Sequence, residues 1–595
     1  MKKKILWMLL SFLLVASLVL SSCAKEEVVG EEEEEEEEPV GEQEEEEEEP
    51  VAGEPQYGGM VSNYLWGGEP GGADHVVDDW PSIAYTGPVI EHLLMGDFET
   101  YGPRGTGEYS FGFGGWSRDV CTRGSIAESW EITPDRDKLI FHIRPGIMWA
   151  AYGLEHVMEP RELTAEDVAW SLNRSIDGPM MGGGMRAENG GWIGSLYVLD
   201  DMVVVEAAED KFVPSLIGLQ HLTGGWATGI YAPEVVAAGA SDWNNLVGTG
   251  PFMFKECIAG SYISFTRNPH YWDTTTINGV EYEIPFIDEL VYPVIPDEST
   301  LVAALRTGAL DVWYSVPVVY GDTLTQTSPE LLQQYSRFLR TYLLALRTDR
   351  PPFDNLEVRR AMMMAIDMEA FSRATHVPPY IPEWPVDYTV VSVFTPLDER
   401  PEHIRELYDY DPAKARQILA DAGYPDGLTG GEIVVGTYPP IIDMATMAIA
   451  YWDAIGIKTT LRVMEPGAAS AAEDTGDYDM AHIRPETDSA LTVLGDNFIM
   501  PNLAFYDNPD FTALFEEAAG IRDADERNPI LKELALMAHD SVAYIPFPIG
   551  DPYVITAWWP WLRNYYGECS GSHWNCTYFM ATLWLDQNMK AEMGY

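Results

Sequence analysis

Apolar residues recur along this chain at two spacings. Between Lys138 and Arg144 they alternate, so that Leu139, Phe141 and Ile143 share one face, and a strand is expected there. From Ala165 they return every three or four positions, through Val168, Ala169, Leu172 and Ile176, which predicts an amphipathic helix. Thr164 precedes that stripe and Asp167 stands three residues on, an N-cap with an acidic partner. A second helix is expected to start at Ser299 or Thr300 and to stop at Gly308, and a third is carried by Val358, Ala361, Met362, Ala365 and Ile366. The clearest run follows. Asp411 reads as an N-cap, Pro412 as the first helical residue, Ala415, Ile418, Leu419 and Ala422 as the buried stripe, and Gly423 as the stop. A strand (Ile433 to Tyr438), a helix (about Ile441 to Ile455), Gly456 and a strand (Lys458 to Met464) come next. That βαβ order calls for a parallel sheet with a right-handed crossover. Residues 101–124 and 178–194 are rich in glycine and read as long loops, of the kind that border sites. No internal repeat is visible.

The N-terminal pattern is different in kind. Lys2, Lys3 and Lys4 precede an uncharged apolar run from Ile5 to Leu20, and Leu20-Ser21-Ser22-Cys23 follows. This is the layout of a signal peptide over residues 1–22, with a core too short for a comfortable membrane span. The small residues before Cys23 resemble a bacterial lipobox, in which the cysteine becomes the lipidated N-terminus. Several acyl chains on one residue hold a soluble body at a bilayer. Residues 24–56 carry eighteen glutamates, including Glu31–Glu38 and Glu44–Glu49. Mutual repulsion, with too few apolar residues to bury a core, predicts a disordered acidic tether; a cation- or partner-binding arm is the alternative.

The remaining chain is too long for one core and implies two or three lobes. The formal charge of the whole chain is −59. Nucleic acid is not an expected partner, because phosphate contacts need clustered Lys and Arg. If Cys23 is lipidated, Cys121, Cys257, Cys569 and Cys576 remain, an even number in an exported chain, which suggests disulfides. Three pairings are possible. One joins Cys569 to its neighbour Cys576 and leaves Cys121 with Cys257. No spacing reads as a metal site and no cofactor motif is present. The G-x-S-x-G, H-E-x-x-H, C-x-x-C, P-loop and G-x-G-x-x-G signatures are all missing. The abundant carboxylates leave a glycosidase pair open. On balance the chain is not expected to be an enzyme.

Seven stretches in order carry a resemblance. They are Ile126-Ala-Glu-Ser-Trp130 with Phe141-His-Ile-Arg-Pro-Gly146 and Trp149; Leu163-Thr-Ala-Glu-Asp-Val168; Gly248-Thr-Gly-Pro-Phe252 with Asn268-Pro-His-Tyr-Trp272; Ile287-Asp288 through Ala304-Leu305 to Asp311; Pro352-Phe353 with Val358-Arg-Arg-Ala361 and Ala365-Ile-Asp367; Tyr410-Asp-Pro412 to Gly423-Tyr424; and Gly476-Asp-Tyr-Asp-Met480. Together, over roughly residues 57–550, they resemble the extracellular solute-binding family 5, the oligopeptide, dipeptide and nickel binders of ABC transporters.

The resemblance implies an α/β, type II periplasmic-binding fold: two α/β lobes around a ligand cleft, plus an extra lobe. On that expectation residues 57–95, 195–290 and 540–595 form lobe I, residues 96–194 the extra lobe II, and residues 291–539 lobe III. It also implies an exported, lipid-anchored monomer that captures a small ligand, by default a peptide, for a permease and an ATPase. An aspartate beyond the Tyr478-Asp-Met480 strand would pair with a peptide's amino terminus. Asp488 matches that position, and a shift of one or two residues makes it Glu486. His482 to Thr487 departs from the usual approach to it. Tyr342 matches a cleft tyrosine of dipeptide binders, although the asparagine usual a few positions later is Arg347 here. Tyr64 and Trp66, in Asn63-Tyr-Leu-Trp-Gly-Gly68, match the place where the first strand runs into the cleft. An extracellular sensor or chaperone on the same fold, and a secreted hydrolase, are the competing functions.

Overall fold

The computed structural model describes residues 53–595 apart from 66–70, 78–80, 110, 112–120, 180, 182, 190, 210, 212, 214–221, 223–227, 338–341, 375–383, 387–391, 438, 484–489, 522, 548–552 and 570–577. The chain visits three main sheets in turn. It opens with β1 (Met60–Tyr64) and then builds an antiparallel sheet from β2 (Ala127–Ile132), β3 (Lys138–Ile143), β4 (Ile193–Leu199) and β5 (Met202–Ala207), in the order β2-β3-β5-β4. Helix α1 (Ala165–Asp177) packs on that sheet. Next come β6 (Phe252–Ile258), β7 (Tyr262–Arg267), β8 (Glu289–Pro293), α2 (Glu298–Arg306), β9 (Val312–Val316) and β10 (Leu332–Arg337).

A five-stranded sheet follows, made of β11 (Tyr342–Leu346), β12 (Leu428–Gly436), β13 (Ile457–Met464), β14 (Met480–Ile483) and β15 (Tyr544–Phe547), in the order β13-β12-β14-β11-β15. Its helices include α3 (Leu356–Met364), α4 (Pro412–Asp421), α5 (Pro439–Ala454), α6 (Pro509–Gly520) and α7 (Ala524–Ser541). Finally β16 (Tyr553–Trp558) returns to the first sheet, completing seven strands in the order β10-β16-β9-β1-β8-β7-β6.

Local signals place several elements where the pattern puts them. Thr164 caps α1 in a reciprocal box with Asp167. Asp411 accepts from the amides of Ala413 and Lys414 at the start of α4, and Gly423 ends that helix at φ +99°. Strands β12 and β13 are parallel neighbours. Strand β12 begins at Leu428, ahead of the expected Ile433, because Leu428 and Thr429 already pair with Ile457 and Lys458. Helix α2 is capped by Asp297 rather than by Ser299 or Thr300: its carboxylate takes the Thr300 amide at 2.8 Å and both hydroxyls as well.

Strand pairing cuts across three of the expected lobe boundaries. Residues 195–207, expected in lobe I, pair within the four-stranded sheet. Residues 312–337, expected in lobe III, belong to the seven-stranded sheet through β9 and β10. Residues 544–547, expected in lobe I, pair with β11 in the five-stranded sheet. Pairing is chosen by long-range register and burial, which local motifs do not encode.

The described strands require two passages between the seven- and five-stranded sheets. One runs from β10 to β11 through residues 338–341, the other from β15 to β16 through residues 548–552. The registers Arg337↔Tyr553 and Tyr342↔Phe547 set the four strand ends opposite one another. Strand β11 is buried on both faces. Tyr342, Leu344 and Leu346 join a core with α3 and α5, while Leu343 and Ala345 join another with α6 and α7.

Helix α7 also carries His539, which is buried, with Nδ1 at 3.1 Å from the Trp384 carbonyl oxygen and 3.3 Å from Arg400 Nη1. Burial, aided by the Arg400 guanidinium, depresses its pKa to about 3. The folded state therefore holds it neutral, whereas the unfolded chain protonates near the ordinary imidazole value of about 6.5. Its stabilisation is complete above that value and is lost as pH falls from there towards about 3. Between neutral pH and pH of about 4.5 the denaturation midpoint should fall further for the native chain than for His539→Gln. Parallel falls in both proteins would assign the acid sensitivity to other groups.

Candidate functional site

In open α/β sheets, ligands gather outside the carboxyl ends of parallel strands. Here the carboxyl end of β14 lies beside a passage, and β1 ends on the opposing sheet. Strand β1 lies parallel to β8 and β9, and residues 66–70 follow its carboxyl end. Strand β14 lies parallel to β12, and residues 484–489 follow its carboxyl end. The register Leu343↔Ile483 sets Tyr342, the first residue of β11, level with the end of β14.

On the seven-stranded side, Tyr64 is the last residue of β1 and is 6% exposed. Its ring meets Trp313 of β9 edge-on at 5.7 Å, held there by the parallel register Tyr64↔Trp313. Burial, with a smaller contribution from the Glu298 carboxylate, pushes the phenol up to about 12. Glu298 itself accepts a hydrogen bond from the Tyr320 hydroxyl at 3.1 Å. The Tyr64 phenol thus stays neutral near pH 7, and it offers a polar tip on an aromatic wall rather than a charge.

On the five-stranded side, Tyr342 lies 5.5 Å, ring to ring, from His482 of β14. Leu344 is the residue paired directly with His482, so strand alternation puts Tyr342, Leu344 and His482 on one face. His482 was legible only as a departure from the family pattern. The period-two spacing from Met480 is the signal that assigns it to this face. Trp66, Glu486 and Asp488 lie outside the described residues. Of the five candidate contacts the structure therefore places Tyr64 and Tyr342, on the two sheets that the passages join.

Arg347 stands where a cleft asparagine was expected, and its guanidinium is fully engaged within its own lobe. Nε and Nη2 donate to Asp349 at 2.8 and 2.7 Å, and Nη1 donates to the Gly476 carbonyl at 2.7 Å. The group lies over the Phe505 ring at 3.5 Å and is 4% exposed. The same pairing holds the Asp349 carboxyl below its ordinary range. Arg347 serves as a structural clamp between the end of β11 and the loop before β14.

Cys121 and Cys569 are buried and Cys257 is exposed, while Cys23 and Cys576 lie outside the described residues. The leftover Cys121 and Cys257 thus occupy unlike surroundings. Among the described residues no group of three His, Cys, Asp or Glu side chains could hold a metal ion, and no helix is long and apolar enough to cross a membrane.

Comparison with known proteins adds the family. The profile of the bacterial extracellular solute-binding proteins, family 5 (middle), matches residues 122–490. Heme-binding protein A of Haemophilus influenzae is 26% identical over 71% of this chain and 78% of its own length. The dipeptide-binding protein of Escherichia coli is 24% identical over 70% of this chain and 78% of its own. Among solved structures, the periplasmic binding protein DppA of Helicobacter pylori in complex with the peptide STSA superposes with a TM-score of 0.65 at 21% identity, covering 89% of this chain and 99% of that one. HbpA2 of Haemophilus parasuis superposes with a TM-score of 0.67 at 20% identity, covering 89% and 100%. The fold is the type II periplasmic-binding fold anticipated from the motifs, and the chain belongs to the bacterial extracellular solute-binding proteins, family 5.

Proposed function

We propose that the protein captures a small peptide between the lobes built on its seven- and five-stranded sheets and delivers it to the permease and ATPase of an ABC importer. The paired passages carry this reading. Two compact lobes connected through neighbouring strand ends can rotate about them, and a ligand between them gains contacts from both. Tyr342 stands at a strand end beside those passages, and Tyr64 ends β1 on the opposing sheet. Several curated relatives are named as di- and tripeptide-binding proteins, which favours peptide over other solutes.

In this reading Asp488, or Glu486 if the loop is shifted, pairs with the peptide's ammonium group, since a buried charge without a partner is costly. Tyr64, Trp66 and Tyr342 supply apolar walls with few rotamers to freeze. The protein binds and releases without turnover. Cys23 carries the lipid, the acidic segment spaces the body from the membrane, and the chain works as a monomer. Replacing Cys23→Ser should then move the exported protein from the membrane pellet to the soluble fraction. Continued sedimentation of the variant with membranes would rule out a lipid on that residue.

Native mass spectrometry of the exported protein tests the capture itself. A small retained mass in the peptide range is the expected result. No retained mass, together with no thermal shift across a dipeptide-to-decapeptide library, would exclude the peptide reading.

A further inference from the structure

Arg136 lies in the turn between β2 and β3, on the four-stranded lobe, and is 8% exposed. Its backbone is left-handed at φ +56°, a conformation that disfavours a non-glycine residue. The turn is pinned on both sides: the Arg136 amide donates to Thr133, and its carbonyl accepts from the Val213 amide, each at 2.8 Å. Nε and Nη2 return to the Val213 carbonyl. That leaves Nη1, which reaches into a different lobe and donates to the carbonyls of Ala519 at 3.1 Å and Gly520 at 3.2 Å.

Those two carbonyls belong to the last turn of α6. The final carbonyls of a helix have no donor within it, and they carry the negative end of its dipole. A guanidinium is therefore a fitting cap. Helix α6 is fixed to the five-stranded lobe through Phe511 and Ala518, which sit in the core shared with β11 and α7. Neither passage leads from the four-stranded sheet to the five-stranded one. The Arg136 contact thus joins parts of the molecule separated by 383 and 384 residues, with no covalent shortcut beneath it.

We propose that Arg136 is an interlobe latch that sets ligand affinity without touching ligand. The inference rests on the reading that the lobes close on a solute. When the lobes part, Arg136 keeps Val213 but loses both α6 carbonyls, so the contact favours the closed form alone. A group with such a preference shifts the open–closed equilibrium, and apparent affinity follows the closed fraction. Arg136 is a positioning residue in this sense.

The test uses the full exported chain carrying a dye pair at positions 131 and 517, both exposed, and reads lobe separation by single-molecule energy transfer. An equimolar library of di- and tripeptides is the probe. In the native sequence peptide should shorten the separation. Arg136→Gln should lower the closed fraction without peptide about tenfold and weaken apparent affinity by the same factor, mainly through faster release. Arg136→Lys keeps the charge but not the fork and should fall between them, which guards against a folding defect in the Gln variant. If all three proteins show the same closed fraction and release rate while peptide still shortens the separation, the latch is overturned and closure stands. If peptide leaves the native separation unchanged, closure itself fails and the latch falls with it.

Discussion

Replacing Asp311→Ala should lower the unfolding free energy of the body by roughly 3–5 kcal/mol. Asp311 is 2% exposed and precedes β9. One carboxylate oxygen accepts from the Ser62 amide of β1 at 2.8 Å, and the other accepts from Trp561 Nε1 and Lys590 Nζ, both at 2.8 Å. Its backbone closes the same knot, donating to the Ser62 carbonyl and accepting from the Trp559 amide. One side chain therefore ties the first strand, the ninth strand and the C-terminal segment together. Its removal strands three buried or half-buried donors, one of them charged, and the cost is dominated by those orphans rather than by the lost bonds. Equilibrium denaturation measures this directly. Lys590→Met should cost less, because the lysine is partly exposed and Asp311 would keep two neutral donors. A loss below about 1 kcal/mol for Asp311→Ala would mean that solvent reaches the knot and satisfies it.

The second large effect concerns the ligand. Asp488→Ala should weaken peptide capture by on the order of a hundredfold or more, the scale of truncating one partner of a buried charge pair. Tyr342→Phe should cost far less, since it keeps the aromatic wall. Glu486→Ala is the control for the position of the loop. If the anchor is Glu486, the two carboxylate variants exchange behaviour and the charge pairing survives. If both variants bind the peptide library as the native chain does, an ammonium-to-carboxylate anchor in residues 484–489 is excluded.

Some of this molecule is written locally and some is not. Asp411, Pro412 and Gly423 each report their own conformational preference, so the ends of α4 could be read one residue at a time. The start of α2 was harder, because Asp297, Ser299 and Thr300 are all good caps within four positions and only the chain's approach selects Asp297. Lobe membership was harder still. Ile193 to Ala207 looks like any hairpin; its place beside β3 depends on the facing surface of Leu139 and Phe141. Tyr64 and Tyr342 were marked as candidates by family motifs, and the structure sets each at the end of a strand. The clamp at Arg347 could not be read in advance, because its carbonyl partner, Gly476, is more than a hundred residues away. His482 was visible only once β14 had a register.

The position of β16 has a consequence for biogenesis. It is wedged between β9 and β10, so the two strands it joins are not neighbours without it. A chain is made from its N-terminus, and residues 553–558 follow every other strand of the seven-stranded sheet. Until they arrive, β10 has an open edge and β9 lacks one neighbour, the kind of surface that sticks to other chains. Contacts this distant in sequence also form slowly. The seven-stranded lobe is thus built last although its first strand is made first, and a chain cut short before Tyr553 would leave it in two pieces for proteases to find.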